Sequence, residues 1–162
     1  MDDVKSSTLN GPLEFGLRAL SLLSEACPKG LDMQRLVVLD YLLVHSGDIE
    51  GGPPSLHPSN PLRAGEISVR RALIEDGLHL LACRGLISRH VDGSGITYLA
   101  EELAAIFLDA IETPYGRAVR NRASWAIALA GTLSDTEASA LLEGTLGRWK
   151  SEIVIDMAEE LV

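Results

Sequence analysis

Four histidines and two cysteines are the side chains able to ligate a metal or move a proton near neutral pH. His45 and His57, with Asp48 and Glu50 between them, place imidazole and carboxylate groups on one short stretch. That set lacks the spacing of HExxH or of any paired-cysteine motif, so these read as solvated or backbone-bonded loop histidines and no metal is expected. His79, on a helical stretch, reads as partly buried, while Cys27 and Cys83 stand far apart, belong to no CxxC pair, and read as reduced, buried thiols. Ser46, Ser55, Ser59 and Ser94 have no GxSxG elbow, and Gly47, Gly51 and Gly52 are spaced wrongly for a phosphate loop and lack its lysine. No catalytic residue and no cofactor follow, and the chain is not expected to be an enzyme.

Guanidinium groups are the second chemical resource. Arg63, Arg70 and Arg71 lie on or just before a helical stretch, while Arg84 and Arg89 flank a hairpin, so they can meet phosphates, base edges or a partner's carboxylates. Glu66, Glu75 and Asp76 sit among them, which favours local pairs or a protein partner over nucleic acid. Arg117, Arg120 and Arg122 cluster near Trp125, the composition of an interface hot spot. The competing reading makes Trp125 and Trp149 core anchors of C-terminal helices.

Hydrophobic spacing shows which elements must position these groups. Gly11-Pro12 opens a helix with Leu13, Leu17, Leu20 and Leu23 on one face, ended near Pro28-Lys29-Gly30. Asp32 can cap a second helix carrying Leu36, Leu39 and Leu43, closed at His45-Ser46-Gly47. Residues 46–63, SGDIEGGPPSLHPSNPLR, are too rich in glycine and proline for helix or interior strand, and a connection of that length points to a binding loop. A third helix starts between Asn60 and Glu66, carries Ile67, Ile74, Leu78 and Leu81 on one face, and stops at Gly85. Residues 86–99 then read as a hairpin turning at Asp92-Gly93-Ser94-Gly95. Glu101–Ile111 and Tyr115–Leu129 read as helices separated by Thr113-Pro114, and Ser134-Asp135-Thr136-Glu137 is a capping box for a last helix running to Leu161.

The pattern predicts a mainly α fold with one small β-hairpin: a flexible tail at 1–9, a winged-helix-like domain at 10–112 whose wing is 86–99, and a C-terminal helical extension at 113–162. A winged helix points to DNA, but the charge opposes that use. The chain carries 23 acidic and 14 basic side chains, a net −9, with net −4 over residues 1–62, +1 over 63–99 and −6 over 100–162. Such a field repels phosphate backbones and anionic membranes alike, so a protein partner is expected and no membrane. The polar start MDDVKSST and the lack of a long apolar run predict a cytoplasmic protein.

The block Leu39-Asp40-Tyr41-Leu42-Leu43-Val44-His45-Ser46-Gly47-Asp48, then Gly51-Gly52-Pro53-Pro54-Ser55-Leu56-His57-Pro58, resembles a middle component of the bacterial ABC-three-component systems. The likeness continues through Arg70-Arg71-Ala72-Leu73-Ile74 and Gly85-Leu86-Ile87, and spans roughly residues 10 to 125. It implies a small winged-helix adaptor made beside an SMC/Rad50-like ABC ATPase and an effector subunit, in defence modules against phage or plasmids similar in organisation to Lamassu systems. It implies no catalytic residue and no small-molecule substrate. His45, Asp48, His57 and Pro58 on the loop, and Arg63, Arg70, Arg71 and Arg89 on helix and wing, are then the expected contacts, with Arg117, Arg120 and Trp125 as a further candidate interface. DNA is expected only within the complex. A homodimeric winged-helix transcription regulator is the alternative.

Overall fold

Proline in the first turn starts helix α1 (Pro12–Ala26), and Asp32 caps helix α2 (Met33–Val44) by accepting from the Arg35 amide at 2.8 Å. The computed structural model describes residues 11–57 and 66–132, with Thr136 and Ala140. After α2 comes a single 3-10 turn, Ser46–Asp48, and then helix α3 (Glu66–Ala82). Strands β1 (Ile87–Asp92) and β2 (Gly95–Ala100) form the antiparallel hairpin, in register from Ile87 opposite Ala100 to Asp92 opposite Gly95. Helices α4 (Leu103–Asp109) and α5 (Pro114–Thr132) complete the described elements.

Helix α2 is the centre. Every residue from Leu36 to Val44 is buried, because α1, α3 and α5 all pack against it. Burial on all sides removes the polar stripe a surface helix would show and leaves an almost continuous apolar run. Helices α1 and α3 cross at Gly16 and Gly77, where the two backbones touch. A Cβ on Gly77 would lie 2.4 Å from the Pro12 carbonyl oxygen and 2.5 Å from the Gly16 nitrogen. Gly85, at φ +72°, ends the helix–turn segment in the left-handed conformation that glycine adopts without strain.

The hairpin is not isolated from the helices. Leu31, between α1 and α2, donates its amide to the Tyr98 carbonyl at 3.0 Å and accepts from the Tyr98 amide at 2.9 Å, adding a one-residue third strand. The order helix, bridge residue, helix, helix, hairpin gives a winged-helix-like, mainly α fold. Val119, Ala123 and Ala126 of α5 enter the same core as α1 and α2.

Two sequence expectations are corrected. Cys27 and Cys83 are exposed rather than buried, because each lies just past the end of its helix, in the turns after Ala26 and Ala82. His79, expected partly buried, is exposed, because it falls on the outward face of α3. The tail, Pro58, Arg63, Trp149, most of the capping box and the last helix lie outside the described residues.

Candidate functional site

Asp40 is 1% exposed in the middle of α2, where an unpaired carboxylate would be very costly. Arg18 answers it from α1 with two parallel hydrogen bonds, Nε to Oδ1 at 2.6 Å and Nη2 to Oδ2 at 3.0 Å. Arg70 reaches in from α3 and donates Nη1 to Oδ2. Burial alone would push the Asp40 carboxyl up; the Arg18 and Arg70 charges outweigh it and hold the group below the usual carboxylate range. Burial likewise works to lower the Arg18 pKa, and Asp40 overcomes it, leaving Arg18 above its ordinary value. Both cations also lie over aromatic faces, Arg18 at 4.2 Å from the Phe15 ring centre and Arg70 at 5.6 Å from that of Tyr41.

The network extends to the loop through Glu14. Arg18 Nη1 donates to Glu14 Oε1 at 3.0 Å, and the Tyr115 hydroxyl from α5 donates to the same oxygen at 2.6 Å. His57 Nε2 stands 2.7 Å from the Tyr115 oxygen. The single phenolic proton goes to the carboxylate, so the tautomer this geometry assigns has His57 Nε2 carrying hydrogen and donating to Tyr115. Burial, then the hydrogen bond to Glu14, raises the Tyr115 pKa above that of an ordinary phenol. Burial, then the Arg18 charge, pushes His57 down to about 4, so its ring is neutral at pH 7.

Residues 53–57 are strapped to the body by hydrogen bonds, with Pro54 and Ser55 still exposed. Arg122 of α5 donates Nε and Nη2 to the Pro54 carbonyl at 3.2 and 2.9 Å, and the Ser46 hydroxyl donates to the same oxygen at 3.1 Å. The Leu56 and His57 amides both donate to the Val44 carbonyl, and Ser55 Oγ accepts from the Gly47 amide. Trp125 closes over the turn, with its Cζ2 3.2 Å from where a Cβ on Gly52 would lie.

The predicted contact residues therefore divide. His45 is buried with its ring against Tyr41, Asp48 accepts from the Tyr41 hydroxyl at 2.9 Å, and His57 and Arg70 belong to the internal network. Arg71 and Arg89 are exposed. Arg117 donates to the Glu112 carbonyl, Arg120 pairs with Asp109 at 2.6 Å, and Trp125 is half-buried. Sequence reasoning missed Glu14, Arg18, Asp40 and Tyr115. A signal existed: a Glu and an Arg four apart on a helix, and one aspartate inside an apolar run, are charges that only mutual pairing explains.

This arrangement neutralises buried charge and ties four helices and a loop together. Among the described residues, no three His, Cys, Asp or Glu side chains converge as a metal site. None of the described helices is long and apolar enough to cross a membrane. Fold and site together define a winged-helix-like helical domain organised around a buried ion network. The chain belongs to the family of ABC-three component (ABC-3C) system Middle Component 2, whose model matches residues 8–152. No curated protein and no solved structure shows significant similarity to it.

Proposed function

We propose that this chain is a non-catalytic adaptor subunit that docks on an SMC-like ABC ATPase and couples it to an effector in a bacterial anti-phage or anti-plasmid complex. Membership of a middle-component family supports a role within an assembly. The observation that carries the choice of protein over DNA is the exposed face of α3, the helix in the position a winged helix uses for reading. That face presents Glu75 and Asp76 with Val69 and Leu80, against a single described arginine, Arg71. Acids there repel phosphates, while exposed aliphatic side chains suit a protein surface.

A second exposed apolar face lies on α4. Leu103 and Ile106 are 58% and 68% exposed, and Phe107 adjoins them at helical spacing, with Ala104 and Leu108 turned into the core. Exposed Glu101, Glu102 and Glu112 bracket this face, so its counterpart is an apolar ATPase surface rimmed by Lys and Arg. Arg71 and Arg89 would add contacts at helix and wing.

Co-expression with the adjacent ABC ATPase and size-exclusion chromatography test this reading. The wild-type pair should co-elute; L103S/I106S/F107S should release the ATPase, and R71E/R89E should weaken the pair. Co-elution unchanged in both variants would exclude these faces. The transcription-regulator alternative predicts a footprint on the chain's own promoter without any ATPase.

A further inference from the structure

A cleft of about 220 Å³ opens between α1 and the junction of α4 with α5. Leu17, Leu108, Ile111 and Val119 form its apolar walls, and Glu14 and Tyr115 supply polar lining. A cavity of about 150 Å³ suffices for benzene in a well-studied engineered case, so this cleft has room for one ring with a substituent. Its size alone says nothing about what enters.

Glu14 adds the chemistry. Its side chain is nine-tenths buried; Oε1 accepts from Arg18 and Tyr115, while Oε2, also buried, has no hydrogen-bond partner among the described residues. Buried acceptors are almost always satisfied in folded proteins, so an unsatisfied carboxylate oxygen beside a cleft calls for a donor. The last torsion of a glutamate is soft, and a small turn presents Oε2 to a molecule in the cleft. Among the described residues, the guanidiniums of Arg18 and Arg70 face the carboxylates of Glu14 and Asp40. The favoured donor is therefore uncharged, since a further cation would face Arg18 and an anion would face Glu14.

We propose that this cleft binds a small, uncharged aromatic molecule bearing one O–H or N–H donor, which bonds to Glu14 while its ring packs between α1 and α5. The proposal goes beyond the adaptor reading and is independent of it, because a ligand site here requires no ATPase.

Phenol and toluene test it, since they share a shape and differ only in hydroxyl against methyl. A purely apolar hole prefers toluene, the less soluble of the two in water. A site with an unpaired acceptor prefers phenol, because toluene leaves that acceptor buried and unbonded. Titration of the full chain, followed by amide chemical shifts, should give phenol at least tenfold the affinity of toluene, with shifts centred on Leu17, Leu108 and Val119. L17W, which fills the cleft and leaves every charged side chain of the ion network in place, should abolish the shifts from both. E14Q should cut the phenol preference to threefold or less. If toluene binds as well as phenol, if neither probe binds, or if L17W leaves phenol binding intact, the proposal is overturned; should E14Q fail to fold, the phenol-to-toluene ratio and L17W still decide it.

Discussion

Asp40 shows how a single residue can be both invisible as a site and decisive for the structure. Its carboxylate is buried and meets two guanidiniums from two other helices, so removing its charge leaves Arg18 and Arg70 facing each other inside the core. Breaking a buried pair by deleting one member costs about 3–5 kcal/mol. Urea denaturation of D40N should show a loss of that order, whereas R71A, on the surface, should stay within about 0.5 kcal/mol of wild type. His57 makes a pH-dependent contribution. Its folded pKa, about 4, lies below the ordinary 6.5, so the unfolded chain binds its proton first. The stability it supplies is complete above pH 6.5 and is lost as pH falls towards 4, by roughly 2 kcal/mol given its partial exposure. H57Q keeps an N–H donor for Tyr115 but cannot titrate, so its urea midpoint should fall less than that of wild type over the same range.

At the scale of elements, the crossing of α1 and α3 turns a usual rule around. Replacing glycine by alanine inside an exposed helix stabilises by up to about 1 kcal/mol. Gly131, exposed in α5 with no atom of the described residues within 4 Å of where its Cβ would lie, should follow that rule and be neutral or stabilised in G131A. At Gly77 the added methyl would meet the Pro12 and Gly16 backbones, so the helices must separate and the Asp40 network between them must stretch. G77A should lose about 3 kcal/mol or more, read as a shift in urea midpoint at constant slope. Equal behaviour of the two variants would mean that α1 and α3 are not in backbone contact. Neither periodicity nor composition distinguishes these two glycines, since both sit in helical sequence and only the position of a second helix separates them.

Over the whole molecule, charge and fold lead to different uses of the same scaffold. A winged-helix-like body carrying a net −9 supplies little counterion release, so the isolated chain should bind duplex DNA at physiological salt with a dissociation constant weaker than about 100 μM. Fluorescence anisotropy with labelled promoter DNA checks this, and tight binding with a steep salt dependence would favour the regulator reading. The exposed apolar residues of α3 and α4 lie on the outside of a body whose interior is closed by α2, so truncating those of α4 to serine should abolish assembly before it affects folding. Circular dichroism melts of L103S/I106S/F107S are expected to match wild type within a few degrees.

Much of the architecture was legible because local rules agree with it. Proline at Pro12, the Asp32 cap, the stop at Gly85 and the turn at Asp92–Gly95 all act within a few residues, and the hydrophobic spacing of α1, α2 and α3 follows from which faces must leave water. Net charge, the character of each segment and the resemblance carried by residues 39–58 likewise need no coordinates. The inward placement of Arg70, the strapping of His57 to Tyr115, the Leu31 bridge to the wing and the contact of Gly16 with Gly77 each join residues 30 or more positions apart. A one-dimensional pattern cannot tell an arginine aimed at a partner from one aimed at a buried aspartate, because both occupy a polar position beside an apolar stripe. Only the packing of α1, α3 and α5 around α2 decided that these charges face inward, since it is the loss of water around Asp40 that makes their pairing necessary.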